Sequence, residues 1–425
     1  METRISDWCQ FLVGNSVVLS GVLGGAQRSE WPIFPSLYIC LGLSGIFSLV
    51  CFYSIPSIAD LLLRAGLYGK DCHRRDSSIV VPEGTGVAVG FTYVIALTLF
   101  LPFVVKKSEM ELSMFLSAIL SVNSMCFLGF ADNVLNLRWR HKLILPTIAS
   151  LPVLLVYYMQ GGSTYVLVPD FLYNRAVDFG IFYYLFLAML SVFGTNAINI
   201  LAGLNGLEVG QSIVIAAASI INLLVQMNRH SWAEWKFNNE TVFALYLLVP
   251  FLCCSIALWV FNKYPARVFV GDTYCYLAGT VLAVSGILGH FSKTILLFMF
   301  PQVINFIYSV PQLFRLIPCP RHRMPVYVAH KDCVDVSYTD WVECGSVCKD
   351  TLWLLETLGL AKVERKKTKV RFSNLTILNF ILWKVGRPLK ESTLVNIILG
   401  VQTSWTIFAF LVRYKAAGLL YSLVD

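Results

Sequence analysis

Charged residues are scarce in this chain of 425: Asp, Glu, Lys and Arg together make up 14%, where a soluble domain carries about a quarter. With 57% hydrophobic residues, that deficit excludes a water-soluble fold, because too little polar surface exists to cover the apolar remainder. No CxxC pair and no His/Cys ladder of zinc spacing occurs, so the twelve cysteines predict neither a disulfide framework nor structural zinc. Several of them (Cys40, Cys51, Cys126, Cys253, Cys254) sit inside apolar blocks, where cysteine acts as a small hydrophobe. There is no P-loop, no kinase signature and no convincing repeat between the halves. The leader is weakly charged as well, Arg4 standing against Glu2 and Asp7, which makes a poor signal-peptide n-region. Residues 1–35 therefore read as a luminal or membrane-associated extension, with a cleaved signal or an extra span as the lesser reading.

What the chain does have is a series of apolar blocks long enough to cross about 30 Å of hydrocarbon. Ten spans are predicted, near 36–63, 84–105, 111–131, 143–159, 179–195, 207–227, 241–262, 270–289, 294–314 and 392–412. The fourth contains Pro146 and Pro152, tolerable where neighbouring helices satisfy the freed backbone groups. Residues 36–314 thus hold nine spans, 315–391 form a long loop, and 392–425 supply the last span and the C-terminus. On one side the loops carry 23 of the 33 Lys and Arg residues, and on the other 10. All of the excess lies in 315–391, without which the counts are 9 against 10. The positive-inside rule assigns the richer side to the cytosol. The sequon at Asn239-Glu-Thr241 then falls in the lumen and that at Asn374-Leu-Thr376 in the cytosol, where it stays unmodified. The basic run from Arg365 to Arg371 reads as a solvated face.

Unusual polar residues cluster in the odd-numbered loops. The first carries Gly69-Lys-Asp-Cys-His-Arg-Arg75 and Val81-Pro-Glu-Gly84. The second carries Phe130-Ala-Asp-Asn-Val-Leu-Asn-Leu-Arg-Trp-Arg-His-Lys142, and the third Thr195-Asn-Ala-Ile-Asn-Ile-Leu-Ala-Gly-Leu-Asn-Gly206. The fourth reads Tyr264-Pro-Ala-Arg-Val-Phe-Val-Gly-Asp272, and the fifth opens Pro318-Cys-Pro-Arg-His-Arg323. Singly, each has an ordinary reading: Asp132 and Asp272 as helix caps, Arg138, Arg140 and Lys142 as headgroup anchors, Asn199 and Asn205 as interhelical hydrogen bonders. Together, at one membrane surface, they mark a site, because polar groups at the hydrocarbon boundary are costly. Asp132, Asp272 and the Asn199 carboxamide are hard oxygen ligands suited to Mg²⁺ or Mn²⁺. Lys142, Arg321 and Arg323 suit phosphates. Hard metal plus phosphate clamps is the equipment of phosphoryl transfer.

At these motifs the chain resembles the eukaryotic UDP-N-acetylglucosamine:dolichyl-phosphate N-acetylglucosamine-1-phosphotransferases, within the wider family of polyprenyl-phosphate sugar-1-phosphate transferases. The match runs from about residue 36 to the C-terminus. It is specific in Gly129–Lys142, Thr195–Gly203, Arg267–Asp272 and Pro318–Arg323. The resemblance implies an all-α polytopic membrane protein of about ten spans, located in the endoplasmic reticulum, with a cytosolic active site and a small mixed α/β element before the last span. It implies transfer of GlcNAc-1-phosphate from UDP-GlcNAc to dolichyl phosphate, giving GlcNAc-diphosphodolichol and UMP, and inhibition by tunicamycin. Family roles carried over by motif position make Asn199 and Asp272 the Mg²⁺ ligands, with Lys142 on the dolichyl phosphate and Asp132 beside it. Lys70, Asp71, Cys72, Glu83, Asn205 and Phe269 would line the uridine pocket. Arg321, His322 and Arg323 would grip the GlcNAc-diphosphate, and Asn136 and Asn196 join the substrate-binding set. A homodimer is common among relatives.

One position departs from the pattern. Members of the family usually carry two adjacent aspartates where this chain has Asp132-Asn133. Two further readings therefore stay open beside the transferase: a weakly active homologue, and a nucleotide-sugar transporter, which would place its polar groups near the bilayer midplane. Within the transferase reading, a phosphate monoester with a second pKa of about 6 is largely dianionic near neutral pH and needs no strong base. Asp132 is then expected to organise Lys142 rather than accept a proton, with a covalent aspartyl intermediate as the competing idea.

Overall fold

Apolar runs of this length leave the backbone one economical choice in hydrocarbon, the helix, which satisfies every internal N–H and C=O within one segment. The structure, a computed structural model, describes residues 33–74, 79–104, 109–135, 137–138, 140–168, 176–229, 239–367 and 369–416. Nearly all of the N-terminal extension lies outside the described residues. The membrane helices are α1 (Ile33–Arg64), α2 (Gly86–Val104), α3 (Glu109–Leu135), α4 (His141–Met159), α5 (Ile181–Ile200), α6 (Leu207–Arg229), α7 (Asn239–Asn262), α8 (Gly271–Leu288), the pair α9 (Ser292–Phe298) and α10 (Phe300–Leu313), and a last helix at Glu391–Leu411. Each lies within five residues of a predicted boundary. Short hairpins join α1 to α2 (β1, Tyr68–Lys70; β2, Val80–Pro82) and α4 to α5 (β3, Tyr165–Leu167; β4, Ala176–Asp178).

Two expectations need correction. Among the described residues eight helices are long and apolar enough to cross a membrane, and the α9–α10 pair makes a ninth. The remaining predicted span is α8, whose 18 residues reach about 27 Å at 1.5 Å per residue but include Asp272, Thr273, Tyr274, Tyr276, Thr280 and Ser285. It keeps these because it is wrapped by protein rather than lipid: every residue from Thr273 to Leu288 is buried, against α2, α3, α5 and α7. The crossing with α5 is tight, since a β-carbon at Gly194 would meet the Gly279 carbonyl oxygen at 2.8 Å. Small residues allow such approach where packing rather than hydrophobicity drives association.

The second correction concerns the ninth span, which is not one straight helix but breaks by 67° between α9 and α10. Pro301 explains the break, because a proline lacks an N–H and its ring clashes with the carbonyl four residues earlier. That carbonyl, on Leu297, accepts instead from the Trp405 indole N–H at 2.8 Å. Its neighbour on Phe298 accepts from Gln402 Nε2 at 2.9 Å. Pro146 works the same way in α4: the freed carbonyl of Lys142 accepts from Asn196 Nδ2 at 3.2 Å. Outward faces remain apolar, as on α4, where Ile144, Ile148, Leu151, Leu155 and Tyr158 are all exposed at helical spacing.

Between α10 and the last helix stands the mixed α/β element. It comprises a hairpin (β5, Val326–Val328; β6, Cys333–Asp335), helix α11 (Ser346–Thr357), an antiparallel sheet in the order β7-β9-β8 (β7, Tyr338–Glu343; β8, Val363–Lys366; β9, Lys369–Ser373) and helix α12 (Ile377–Val385). The last helix is α13. Among the described residues one disulfide, Cys344–Cys348, joins positions four apart and ties no distant segments. Asn374 is fully buried, its amide engaged by Thr339, Gln312 and Ser337, which closes that sequon to modification.

Candidate active site

Alternation of helix direction brings the N-termini of α4, α6 and α8 and the C-termini of α5, α7 and α10 to one end of the bundle. There they surround a cavity of about 730 Å³. Its lining includes Lys70, Asp71, Cys72, Glu83, Lys142, Asn196, Asn199, Asn205, Phe269, Asp272, Arg321, His322 and Arg323. All five odd-numbered loops thus contribute. Two residues of the predicted set are not on the wall. Asp132 lies behind it, its side chain 1% exposed, and Asn136 is outside the described residues. Asp132 and Asn199 also belong to α3 and α5 rather than to loops, so both are held by helix packing.

Lys142 Nζ sits between two carboxylates, 2.7 Å from Asp132 Oδ2 and 3.1 Å from Asp272 Oδ2. Asp132 has other partners as well: Oδ1 accepts the Leu137 N–H at 2.9 Å, and Oδ2 also accepts the Tyr276 hydroxyl at 2.8 Å. A carboxylate so buried and so held orients a cation. Removing one partner of a buried pair costs about 3–5 kcal/mol, because the other charge stays buried and uncompensated.

Asp272 opens α8, where the helix dipole favours a negative charge. Its Oδ1 accepts from Asn199 Nδ2 at 2.7 Å, and about a quarter of its side chain faces the cavity. Asn133 fixes its position. Asn133 Oδ1 accepts the Asp272 N–H at 2.7 Å, and Nδ2 donates to Thr273 Oγ1 at 2.9 Å, so the carboxamide caps α8 from the end of α3. Gly271 permits this, with φ at +67° and a β-carbon position only 2.9 Å from Gly84 Cα. The Asp272 carboxylate and the Asn199 carboxamide (whose O and N exchange by an amide flip) form a sparse hard-oxygen set. It fits Mg²⁺, which takes one or two carboxylates and fills its other positions with water and phosphate.

Another part of the wall is cationic. The α/β element holds the Arg321–Arg323 segment: Asn379 Nδ2 donates to the Arg323 carbonyl at 2.8 Å, and Ser337 Oγ at 3.3 Å. Burial pulls the Arg323 guanidinium below its ordinary pKa, and its buried Nη1 finds no partner among the described residues. An unpaired buried cation edge is a seat for an anion. Glu83 and Phe269 pair as an isolated parallel bridge beside Gly69, closing the far side. Asn205 is anchored through Nδ2 to Asp71 Oδ2 at 3.0 Å.

Known proteins match the chain along most of its length. A protein from Saccharomyces cerevisiae, named UDP-N-acetylglucosamine–dolichyl-phosphate N-acetylglucosaminephosphotransferase, is 40% identical over 402 residues, covering 86% of this chain and 89% of the relative. The chain belongs to this phosphotransferase family. The family model for glycosyl transferase family 4 matches residues 115–290, which run from α3 through α8. Phosphotransferases of the same name from Dictyostelium discoideum (40% identical, 87% and 88% covered) and Schizosaccharomyces pombe (37%, 86% and 89%) span the chain equally.

Seen as a phosphotransferase site, the cavity has lining and supporting residues that motif reading passed over. Tyr276 and Thr273 hold Asp132 and Asn133, and the signal was present, since Tyr276 lies one helical turn after Asp272. Glu208 takes the Gly203 N–H at 2.8 Å and fixes the loop before Asn205. Thr376 and Leu378 reach the cavity from the α/β element, a contact that no local sequence pattern announces.

Proposed function

We propose that the protein transfers GlcNAc-1-phosphate from UDP-GlcNAc to dolichyl phosphate, giving GlcNAc-diphosphodolichol and UMP. One observation carries this reading: a lysine–carboxylate cluster and an arginine with an open buried edge line a single cavity at the bundle's end. Two cationic anchors in one cavity suit two phosphorylated reactants, and a midplane transport site has no counterpart for them. The activity printed in the relatives' names agrees.

A phosphate oxygen of the lipid attacks the β-phosphorus of UDP-GlcNAc. The new P–O bond forms as the bond to the α-phosphate oxygen breaks, and UMP departs. Lys142, pinned by Asp132, holds the attacking phosphate in line. Arg321 and Arg323 take the diphosphate, and the Asn205–Asp71 side with Phe269 receives the uridine. Asp272 and Asn199 would hold Mg²⁺, or Mn²⁺, which neutralises charge on the diphosphate when bound.

The same reading puts the cavity on the cytosolic face of the endoplasmic reticulum membrane, supported by the Lys and Arg excess on the loops of that side. It makes tunicamycin an inhibitor. The deciding assay supplies UDP-GlcNAc, Mg²⁺ and dolichyl phosphate in detergent and measures UMP. Release that needs the lipid is expected; release without lipid, or none, refutes the proposal. Chelation of divalent ions should stop turnover. Cysteine-labelling that found Asp132, Asn199 and Asp272 on opposite sides of the membrane would refute the site itself.

A further inference from the structure

At the nucleotide side of the cavity, Asp71 and His73 of the wall join Glu391 in a buried ionic cluster, in which His73 and Glu391 have no part in the transfer chemistry. Asp71, His73 and Glu391 are each 5% exposed or less. His73 Nε2 lies 3.2 Å from the Pro325 carbonyl oxygen. A carbonyl only accepts, so Nε2 carries a proton. The other ring nitrogen, Nδ1, faces Glu391 Oε1 at 3.7 Å. A neutral ring would turn a bare lone pair toward that carboxylate, whereas an imidazolium turns an N–H toward it.

The groups around the ring agree on its sign. Asp71 and Arg74 come from its own loop, paired at 2.8 Å. Glu391 comes from α13, and its Oε2 is buried with no partner among the described residues. Tyr264, from the loop before α8, is neutral, burial having raised its pKa. Two carboxylates against one guanidinium leave negative charge beside the ring, Glu208 of α6 also acts on Glu391 from the cavity side, and an imidazolium offsets it. Burial by itself would lower the His73 pKa, but Glu391, the Pro325 carbonyl and Asp71 outweigh it and hold the pKa above its ordinary value. A metal ion is the alternative, since the three ligand atoms lie within 4.8 Å of one another. It is disfavoured because the Asp71 oxygens are already taken by Arg74, Asn205 and the His73 N–H.

We propose that His73, as an imidazolium, is a positioning residue that clasps three segments around the nucleotide pocket. Through Pro325 it holds the strand leaving Arg321–Arg323. Through Glu391 it holds α13, and Glu391 Oε1 in turn accepts the Asn205 N–H at 2.7 Å. Deprotonating Nδ1 releases Glu391, and with it α13 and the Asn205 loop, while Nε2–H keeps the Pro325 carbonyl; the pocket then loses grip on a nucleoside diphosphate. The inference rests on the reading of this cavity as the UDP-sugar site.

The test compares wild type, His73→Asn and Glu391→Gln in detergent from about pH 6 to about pH 9. At saturating lipid, wild-type KM for UDP-GlcNAc should rise with pH while kcat follows the same course as in His73→Asn. His73→Asn should have a KM roughly tenfold higher near pH 6.5, without that rise. Glu391→Gln should move the transition to lower pH. Thermal stability gives a readout that needs no turnover. A raised histidine pKa contributes stability fully below its unfolded value of about 6.5 and loses it as pH climbs through the folded value. The Tm advantage of wild type over His73→Asn should therefore shrink with rising pH. Parallel KM profiles, or a Tm gap independent of pH, overturn the proposal. One equivalent of transition metal in wild type, absent from His73→Asn, overturns it in favour of a metal site. If no variant releases UMP, the transferase reading fails while the Tm comparison still decides the clasp.

Discussion

Asp132→Asn separates the organising role of this carboxylate from a covalent one, and the geometry sets the size of the effect. Asparagine keeps an acceptor for the Leu137 N–H, and the Tyr276 hydroxyl can turn to accept from the new amide. The bond from Lys142 Nζ at 2.7 Å is lost, and an amide N–H₂ faces the ammonium in its place. A hydrogen bond involving a charged group contributes about 1.5–3 kcal/mol, which at about 1.4 kcal/mol per decade is a fall of roughly 10- to 150-fold in kcat/KM. Lys142 keeps Asp272, so measurable turnover remains. A nucleophile tolerates no such change, because a carboxamide forms no acyl-phosphate. The assay is lipid-dependent UMP release, with KM for dolichyl phosphate measured separately, since a loosened Lys142 should raise that constant more than KM for UDP-GlcNAc. Activity below about one part in ten thousand with an unchanged Tm, or a trapped phospho-sugar adduct on wild type, refutes the organising role.

Helices were legible because their signal is local. Hydrocarbon demands long apolar runs, and these predicted every membrane helix to within a few residues. What escaped depended on neighbours. The polar face of α8 reads as a weak span, and only its enclosure by α2, α3, α5 and α7 explains why it tolerates six polar side chains. The break at Pro301 was visible as a proline, but its sharpness depends on Trp405 and Gln402, a hundred residues away, taking the freed carbonyls. At the site the motifs gave the wall of the cavity and missed its supports. Asn196, assigned to substrate, does line the cavity, but motif reading gave no hint that its Nδ2 also serves the Lys142 carbonyl that Pro146 releases. Asn133 looked like a lost charge and is a helix cap.

The remaining predictions probe these supports. Arg323→Ala should raise KM for UDP-GlcNAc roughly 10- to 100-fold, the equivalent of one charge-assisted bond, and leave KM for the lipid unchanged; an equal rise in both would remove Arg323 from the diphosphate. Gly129→Ala would set a β-carbon 2.7 Å from Thr273 Cα, backbone that cannot rotate away, so a loss of about 1–3 kcal/mol should appear as a lower Tm together with lost turnover. Asn133→Asp bears on whether the family's second aspartate is needed as a charge. An aspartate can still accept the Asp272 N–H, and the Thr273 hydroxyl can reverse to donate to it, so both bonds that fix Asp272 survive. Against this, the new charge would face the Asp272 carboxylate at the helix start, where the dipole offsets about 0.3–1 kcal/mol. These effects oppose each other, and kcat/KM should change by less than about fivefold. Asn133→Ala, which loses the cap itself, should lower stability by about 0.5–2 kcal/mol. A rise of tenfold or more in Asn133→Asp would mean that the charge limits this chain and that capping is not why a carboxamide suffices.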